Sequence, residues 1–306
     1  MATPASWPDH ETLELLRHLA IREPRTVPAS LTAGRWSREM GMSLDIADFR
    51  AYAQGDDPRH LDWTQLAKFD QLVIRLFYAQ RTARMAIVLD GSASMDFGRP
   101  HKFDFARLLA ACLSLIALNG SNEVQLLPTG DTATDYYRRS ASTSIGVAGA
   151  EILRHLRSLR PLGVANWPAL ARRITRWRDT LLIVISDGLP PGDNNSMLRA
   201  FAGRGARLVV LHTLSPQELQ PQFTGSPTLR EPESGRLRRI AEAVTAWPHY
   251  QDHLSRWRTE LRNNVQRSNG IYIDICTSET MTSVLTGQLQ HILDRNWPQS
   301  NPRRNH

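Results

Sequence analysis

Two apolar runs, each closed by an aspartate, constrain this chain more than any other feature. Met85-Ala-Ile-Val-Leu89 runs into Asp90, and Leu181-Leu-Ile-Val-Ile185 runs, one serine later, into Asp187. Apolar runs of this length, without polar alternation, read as strands buried on both faces, the condition of a parallel sheet between layers of helices. Open sheets of that kind place ligands at the carboxyl ends of their strands, where both aspartates fall. Ser92 and Ser94 follow Asp90 at alternate positions. One carboxylate and two hydroxyls on a tight loop are hard oxygen donors, suited to Mg²⁺ rather than zinc. The same residue types also cap turns and helices. Asp90, Ser92, Ser94 and Asp187 therefore stand either as cation ligands or as caps.

The rest of the chain alternates in the same sense. Residues 103–118 predict a helix that is apolar nearly all round and hence buried. Strands are expected at 123–127 and 134–138, helices at 147–159 and 168–177, a helix at 196–202 and a strand at 207–211. A strand at 270–275 and a helix at 281–293 close the pattern. This order predicts an α/β fold, a doubly wound, mostly parallel sheet flanked by helices and joined by right-handed crossovers. Upstream, residues 10–21 carry apolar positions at helical spacing, and 22–37 form a Pro-punctuated linker. Residues 72–78 read as a strand able to pair with 84–89. Residues 215–236 are rich in Pro, Gly and Ser, a surface excursion, and Pro248 should break or kink a helix over 240–267. The expected organisation is an N-terminal helix and linker at 1–37, a segment leading into the sheet at 38–80, the sheet domain at 81–296, and a disordered tail at 297–306.

Composition narrows the function classes. Apolar residues make up 41 % of the chain, enough for a core. Cys112 and Cys276 lie in apolar segments with no CxxC or Cys/His spacing, which argues against a zinc or disulfide framework and fits a reducing compartment. The first residues lack a basic stretch followed by an apolar one, and no apolar run approaches the roughly 20 residues that cross a bilayer. A soluble, cytoplasmic protein without membrane insertion is expected. The net charge of +7 is carried almost wholly by arginine, because Lys68 and Lys102 are the only lysines. Dispersed arginines fit coding bias and solvated faces, or else an acidic protein partner or RNA. No RNA-recognition signature or finger spacing accompanies them.

Asp90-x-Ser92-x-Ser94 matches the D-x-S-x-S motif of a metal-ion-dependent adhesion site, and Asp187 falls where the von Willebrand factor A fold puts its other aspartate. Upstream, Arg50, Tyr52, Gly55, Asp56, Asp57, Arg59, Asp62 and Trp63 stand in the order R-x-Y-x-x-G-D-D-x-R-x-x-D-W. That signature, followed by a von Willebrand factor A-like domain, closely resembles the bacterial domain-of-unknown-function 58 family, from about residue 41 to the final helix. The resemblance implies a partner role beside a MoxR-type AAA+ ATPase, in assembly, metal insertion or chaperone-like maturation of other proteins. It also implies a Mg²⁺ site, with one departure. Family members place a threonine in the loop before the next helix, where this chain reads Gly163-Val-Ala165-Asn166. Alanine offers no ligand; a water, or the Asn166 amide oxygen, is left to fill that position, so the implied site is weak or vestigial. The charged motif itself reads either as a salt-bridged brace, with Trp63 as its apolar anchor, or as a partner contact.

These features favour a non-enzymatic binding module whose cation receives an acidic residue from a partner, with no catalytic residues. Gly91-Ser-Ala-Ser-Met95 lacks the G-x-S-x-G nucleophile elbow, and no GxxxxGK[ST] phosphate loop occurs. A metal-dependent hydrolase is the weaker reading, and an arginine-rich RNA-binding or scaffold protein is the alternative.

Overall fold

The structure, a computed structural model, describes residues 8–19, 46–77, 84–120, 122–130, 137–139, 144–174, 180–188, 198, 201, 206–222, 225–240 and 243–293. The expected linker at 22–37, most of the expected helix at 196–202 and the tail beyond 297 lie outside those residues. The chain divides into two compact units, Glu23–Thr82 and a larger one comprising Met1–Arg22 with Ala83–His306. Helix α1 (His10–His18), capped by the Asp9 carboxylate, belongs to the larger unit, where the Asn119 side-chain amide donates to the Leu16 carbonyl.

In the smaller unit, β1 (Ile46–Ala51) leads through a 3₁₀ turn (Pro58–His60) and helix α2 (Trp63–Phe69) to β2 (Val73–Phe77). β1 and β2 form an antiparallel ribbon with Phe49 opposite Arg75 and Ala51 opposite Val73. This corrects the pairing expected of residues 72–78 with 84–89. Asp48 and Arg50 alternate with apolar residues along β1, but in a segment dense in aspartate and arginine that short alternation does not stand out as a strand.

The larger unit is built on a six-stranded sheet. In chain order come β3 (Arg84–Leu89), α3 (Lys102–Asn119), β4 (Glu123–Pro128), β5 (Tyr137–Arg139), α4 (Ile145–Ser158), α5 (Trp167–Ile174), β6 (Thr180–Ser186) and β7 (Arg207–Leu214). A short helix α6 (Pro216–Leu219), a hairpin of β8 (Thr228–Arg230) and β9 (Leu237–Arg239), helix α7 (Ala243–Arg267) and strand β10 (Ile271–Cys276) follow. A helical stretch from Met281 to Leu293, with a π-turn over Val284–Gln288, completes the described chain. The sheet order is β10-β7-β6-β3-β4-β5, parallel except for the antiparallel edge strand β5. This is the doubly wound, von Willebrand factor A-like α/β fold expected from the sequence.

Alternate residues of the central strands feed two cores, as a sheet covered on both faces requires. Met85, Ile87 and Leu89 pack with α3 residues such as Leu109, Leu113 and Ile116 on one face. Ala86 and Val88 pack with Trp167, Leu170, Leu261 and Val265 on the other. Helix α7 runs through Pro248 without the expected break. That proline lies in the second turn, where a missing donor removes one bond near the helix start. Cys112 is buried and Cys276, despite its apolar segment, only half so; both are free thiols. No described helix is long and apolar enough to cross a membrane.

Candidate metal-ion site

After β3 the chain crosses through α3 to β4 on one side, whereas β6 adds on the other, so the winding direction reverses between β3 and β6. Crevices at such reversals, beyond the strands' carboxyl ends, are the binding positions of this architecture. Asp90 and Asp187 leave the sheet there, on neighbouring parallel strands in register from Arg84 opposite Thr180 to Leu89 opposite Ile185.

Local hydrogen bonds fix each donor. The Asp90 backbone N–H donates to the Ile185 carbonyl at 2.9 Å, tying the two strand ends together. Ser92 donates from its backbone N–H (3.0 Å) and its hydroxyl (2.7 Å) to Asp90 Oδ1. The Ser92 and Ser94 hydroxyls lie 3.0 Å apart, and the Ser94 hydroxyl donates to Asp187 Oδ1 at 3.2 Å. Two groups outside the sequence motif complete the Asp90 shell: the Thr129 hydroxyl reaches Oδ1 at 3.3 Å and the Ser186 hydroxyl reaches Oδ2 at 2.5 Å. Asp90 is 1 % exposed. Burial first, and then the charge of Asp187, push its carboxyl above the ordinary aspartate range, while the Ser186 and Ser92 donors oppose that rise.

The four predicted oxygens thus form one chain, Asp90 Oδ1, Ser92 Oγ, Ser94 Oγ and Asp187 Oδ1, with links of 2.7, 3.0 and 3.2 Å. Octahedral Mg²⁺ with oxygens at 2.0–2.1 Å requires neighbouring ligands about 2.9 Å apart. The donor set fits a hard divalent cation in type, all four being hard oxygens, with water needed to complete the shell. Among the described residues no three acidic, histidine or cysteine side chains gather into a metal-holding group. The loop opposite is pinned by backbone bonds from Leu162 N–H to the Gly91 carbonyl (2.8 Å) and from Ala93 N–H to the Gly163 carbonyl (2.9 Å). It presents Ala165 at the wall of a cleft of about 240 Å³ that contains the four donors. Asn166 does not line that cleft; its side-chain oxygen accepts the Ala169 N–H at 3.0 Å and caps α5, the capping use of such a residue.

Lys102, noted in the sequence only as one of two lysines, brings a buried positive charge beside the site. Its ammonium, 1 % exposed at the start of α3, lies 2.6 Å from Asp187 Oδ2 and 2.7 Å from Glu218 Oε1. Burial alone would depress this lysine; the two carboxylates outweigh it and hold the group above the usual lysine value. Glu218 is itself held by the Ser215 backbone N–H and hydroxyl at 2.8 and 2.9 Å. Beneath Asp187, the buried His212 ring donates from Nε2 to the Asp187 carbonyl at 2.9 Å. Its Nδ1 lies 2.5 Å from the Tyr272 hydroxyl, which donates to Asp274 at 2.6 Å. Trp257 and Trp167 wall the cleft, and Glu233 stands on its rim.

The upstream motif forms a brace within the smaller unit. Arg50 holds Asp56 through both carboxylate oxygens at 2.8 and 2.9 Å, and Asp56 also accepts the Ala53 N–H. Asp57 caps the 3₁₀ turn through the Arg59 N–H and pairs with the Arg59 guanidinium. Asp62 caps α2 through Thr64 and Gln65 and pairs with Arg75 at 3.1 Å, and these donors hold its carboxyl down at about 2. Gly55 has φ +105°, a conformation that glycine adopts freely. The Tyr52 N–H donates to the Leu72 carbonyl at 2.8 Å. Trp63 is not the expected anchor. It is 62 % exposed, and among the described residues of this unit Leu61 and Ile74 are the buried apolar pair. Its place at the first position of α2, directly after the Asp62 cap, turns the indole outward.

A family model described as protein of unknown function DUF58 matches residues 48–260. Uncharacterized protein Mb1516 of Mycobacterium bovis and uncharacterized protein Rv1480 of Mycobacterium tuberculosis are each 28 % identical over 237 residues, covering 74 % of this chain and 72 % of theirs. Similar solved structures include the conserved hypothetical protein BatB from Bacteroides thetaiotaomicron, 16 % identical, with a TM-score of 0.41 over 69 % of this chain and 97 % of that one. A von Willebrand factor type A protein from Catenulispora acidiphila is 14 % identical, with a TM-score of 0.39 over 71 % and 43 %. The strand order, rather than these distant likenesses, carries the fold.

Proposed function

This chain belongs to the DUF58 family, and we propose that it is a protein-interaction module whose Asp90–Ser92–Ser94–Asp187 notch holds Mg²⁺ and receives an acidic side chain of a partner. The observation that carries this reading is the contiguous chain of four hard oxygen donors at the winding reversal of the sheet. Two carboxylates, one already shared with Lys102, leave a bound cation short of negative charge, so it favours one further carboxylate. The partner proposed from the family resemblance is a MoxR-type AAA+ ATPase, acting with this protein in assembly or maturation of other proteins.

A non-enzymatic role is supported by where the hydroxyl protons go. Ser92 donates to Asp90 and Ser94 to Asp187, and among the described residues no histidine or lysine is placed as a base toward either oxygen. The test is binding of the full chain to a purified MoxR-type ATPase in Mg²⁺ and in EDTA, with wild type and Asp90→Ala. The expected result is binding that falls at least tenfold on chelation and in the variant. Equal binding in all arms would overturn the metal bridge.

A further inference from the structure

The crossover between β7 and β10 carries an insertion that the sheet does not need. Strands β8 and β9 pair Thr228 with Arg239 and Arg230 with Leu237, and every residue of both strands is exposed. The hairpin adds nothing to either core. Its turn is nevertheless built. The Glu231 N–H donates to the Arg236 carbonyl and the Gly235 N–H to the Glu231 carbonyl, both at 2.9 Å, and the Ile240 N–H closes the base on the Pro227 carbonyl. The Ser234 hydroxyl donates to the Glu231 carboxylate and its oxygen accepts the Arg236 N–H at 3.2 Å. Glu231 is thus spent on holding the tip. Glu233 is not: among the described residues its carboxylate accepts no hydrogen bond, and it lines the same cleft as Asp90, Ser92, Ser94 and Asp187.

A hairpin that adds nothing to either core, and whose ordered turn places an uncommitted carboxylate on the lining of that cleft, has the chemistry of a built-in substitute for a partner's acid. Ala165, on the same lining, offers no ligand of its own.

We infer that Glu233 is a tethered carboxylate for the notch: with a divalent cation on Asp90, Ser92 and Ser94, it swings from the rim into the open coordination position, and a partner's acid binds by displacing the hairpin. This rests on the metal reading given above. A tether of this length supplies its carboxylate at an effective concentration of about millimolar order. Free carboxylates must therefore reach tens of millimolar to compete, whereas a partner with a wider interface displaces the tip readily.

Mn²⁺ serves as the probe, because it takes the same oxygen donors and reports its inner-shell waters through the relaxation of water protons. The full chain is titrated with Mn²⁺ as wild type, Glu233→Gln, Glu231→Gln and Asp90→Asn. The expected result is Mn²⁺ binding that Asp90→Asn abolishes, with relaxivity per bound ion higher in Glu233→Gln by about the contribution of one water. Acetate at 50–100 mM, roughly the range set by that effective concentration, should lower the relaxivity of Glu233→Gln but not of wild type. Glu231→Gln removes the same charge from the same tip and should match wild type. Mn²⁺ bound with equal relaxivity in wild type and Glu233→Gln would overturn the tethered carboxylate and leave the metal site standing. No binding in any arm would overturn both.

Discussion

Replacing Lys102 with methionine removes a cation from between two carboxylates while keeping most of the stem's volume. The ammonium is 1 % exposed, whereas the side chains of Asp187 and Glu218 are 12 % and 23 % exposed, so water relieves the stranded acids only in part. Breaking a buried ion pair from one side costs about 3–5 kcal/mol, and the residual access to water sets the expectation near the lower end, about 3 kcal/mol. For a unit of this size each kcal/mol lowers Tm by about 2–4 °C, so Lys102→Met should melt roughly 6–12 °C below wild type. Glu218→Gln in the Lys102→Met background removes one stranded charge and should recover part of that loss. Mg²⁺ offers a second compensation, since Asp187 Oδ2 loses its ammonium. At a free Mg²⁺ concentration of 100 times Kd, binding restores about 2.7 kcal/mol. The assay is thermal unfolding followed by circular dichroism, with and without Mg²⁺, on all three proteins. A Lys102→Met protein that melts within about 2 °C of wild type, a shift worth less than about 1 kcal/mol, would refute the placement of this ammonium.

Three further outcomes follow from the geometry. Ala165→Thr adds a hydroxyl at the wall of the notch and should tighten Mg²⁺ binding by roughly tenfold, read by calorimetry, an added contact of about 1.4 kcal/mol; unchanged affinity would place the loop too far from the cation. Gly91→Ala builds a Cβ 2.3 Å from the Thr129 carbonyl oxygen, a backbone atom that cannot swing away, and should lower unfolding stability in urea by about 1–3 kcal/mol. Asp62 titrates at about 2 when folded, below its unfolded value near 3.9. Its contribution is therefore complete above about pH 4 and is lost as pH falls toward 2, and amide exchange at Thr64 and Gln65 should accelerate across that window. Arg75→Met should move the window upward, and an unmoved window would deny the Arg75 pair its role.

Legibility in the sequence followed the range of each interaction. Strands β3 and β6 and the aspartates at their ends were readable because a strand buried on both faces needs an unbroken apolar run, a purely local mark. The D-x-S-x-S spacing was local too, and it does assemble. Thr129, Ser186 and Glu218 were not readable, because their hydrogen bonds reach residues 39, 96 and 116 positions away. Strand β1 was hidden for another reason: its residues alternate charge with apolar side chains in a segment dense in aspartate and arginine, so loop composition masked a strand. Trp63 shows the opposite error, since a large aromatic inside a charged motif suggested an anchor that the helix start then turned to solvent.

Lys102 did leave a local trace. In a chain with 37 basic residues, only two are lysine, and one of them opens the most deeply buried helix. Arginine holds every other basic position except Lys68, so a lysine here asks for a local reason. Arginine's planar fork needs width and several acceptors, whereas this pocket offers two carboxylate oxygens and the face of Phe97, whose ring centre lies 5.6 Å from the ammonium. A compact charge on a straight stem fits that space. It also offsets part of the repulsion between Asp187 and Asp90 across the notch, a repulsion that still raises the Asp90 carboxyl. On the metal-bridge proposal made above, the lysine keeps the notch folded when empty at the cost of a weaker hold on the ion, the balance a switchable docking site requires.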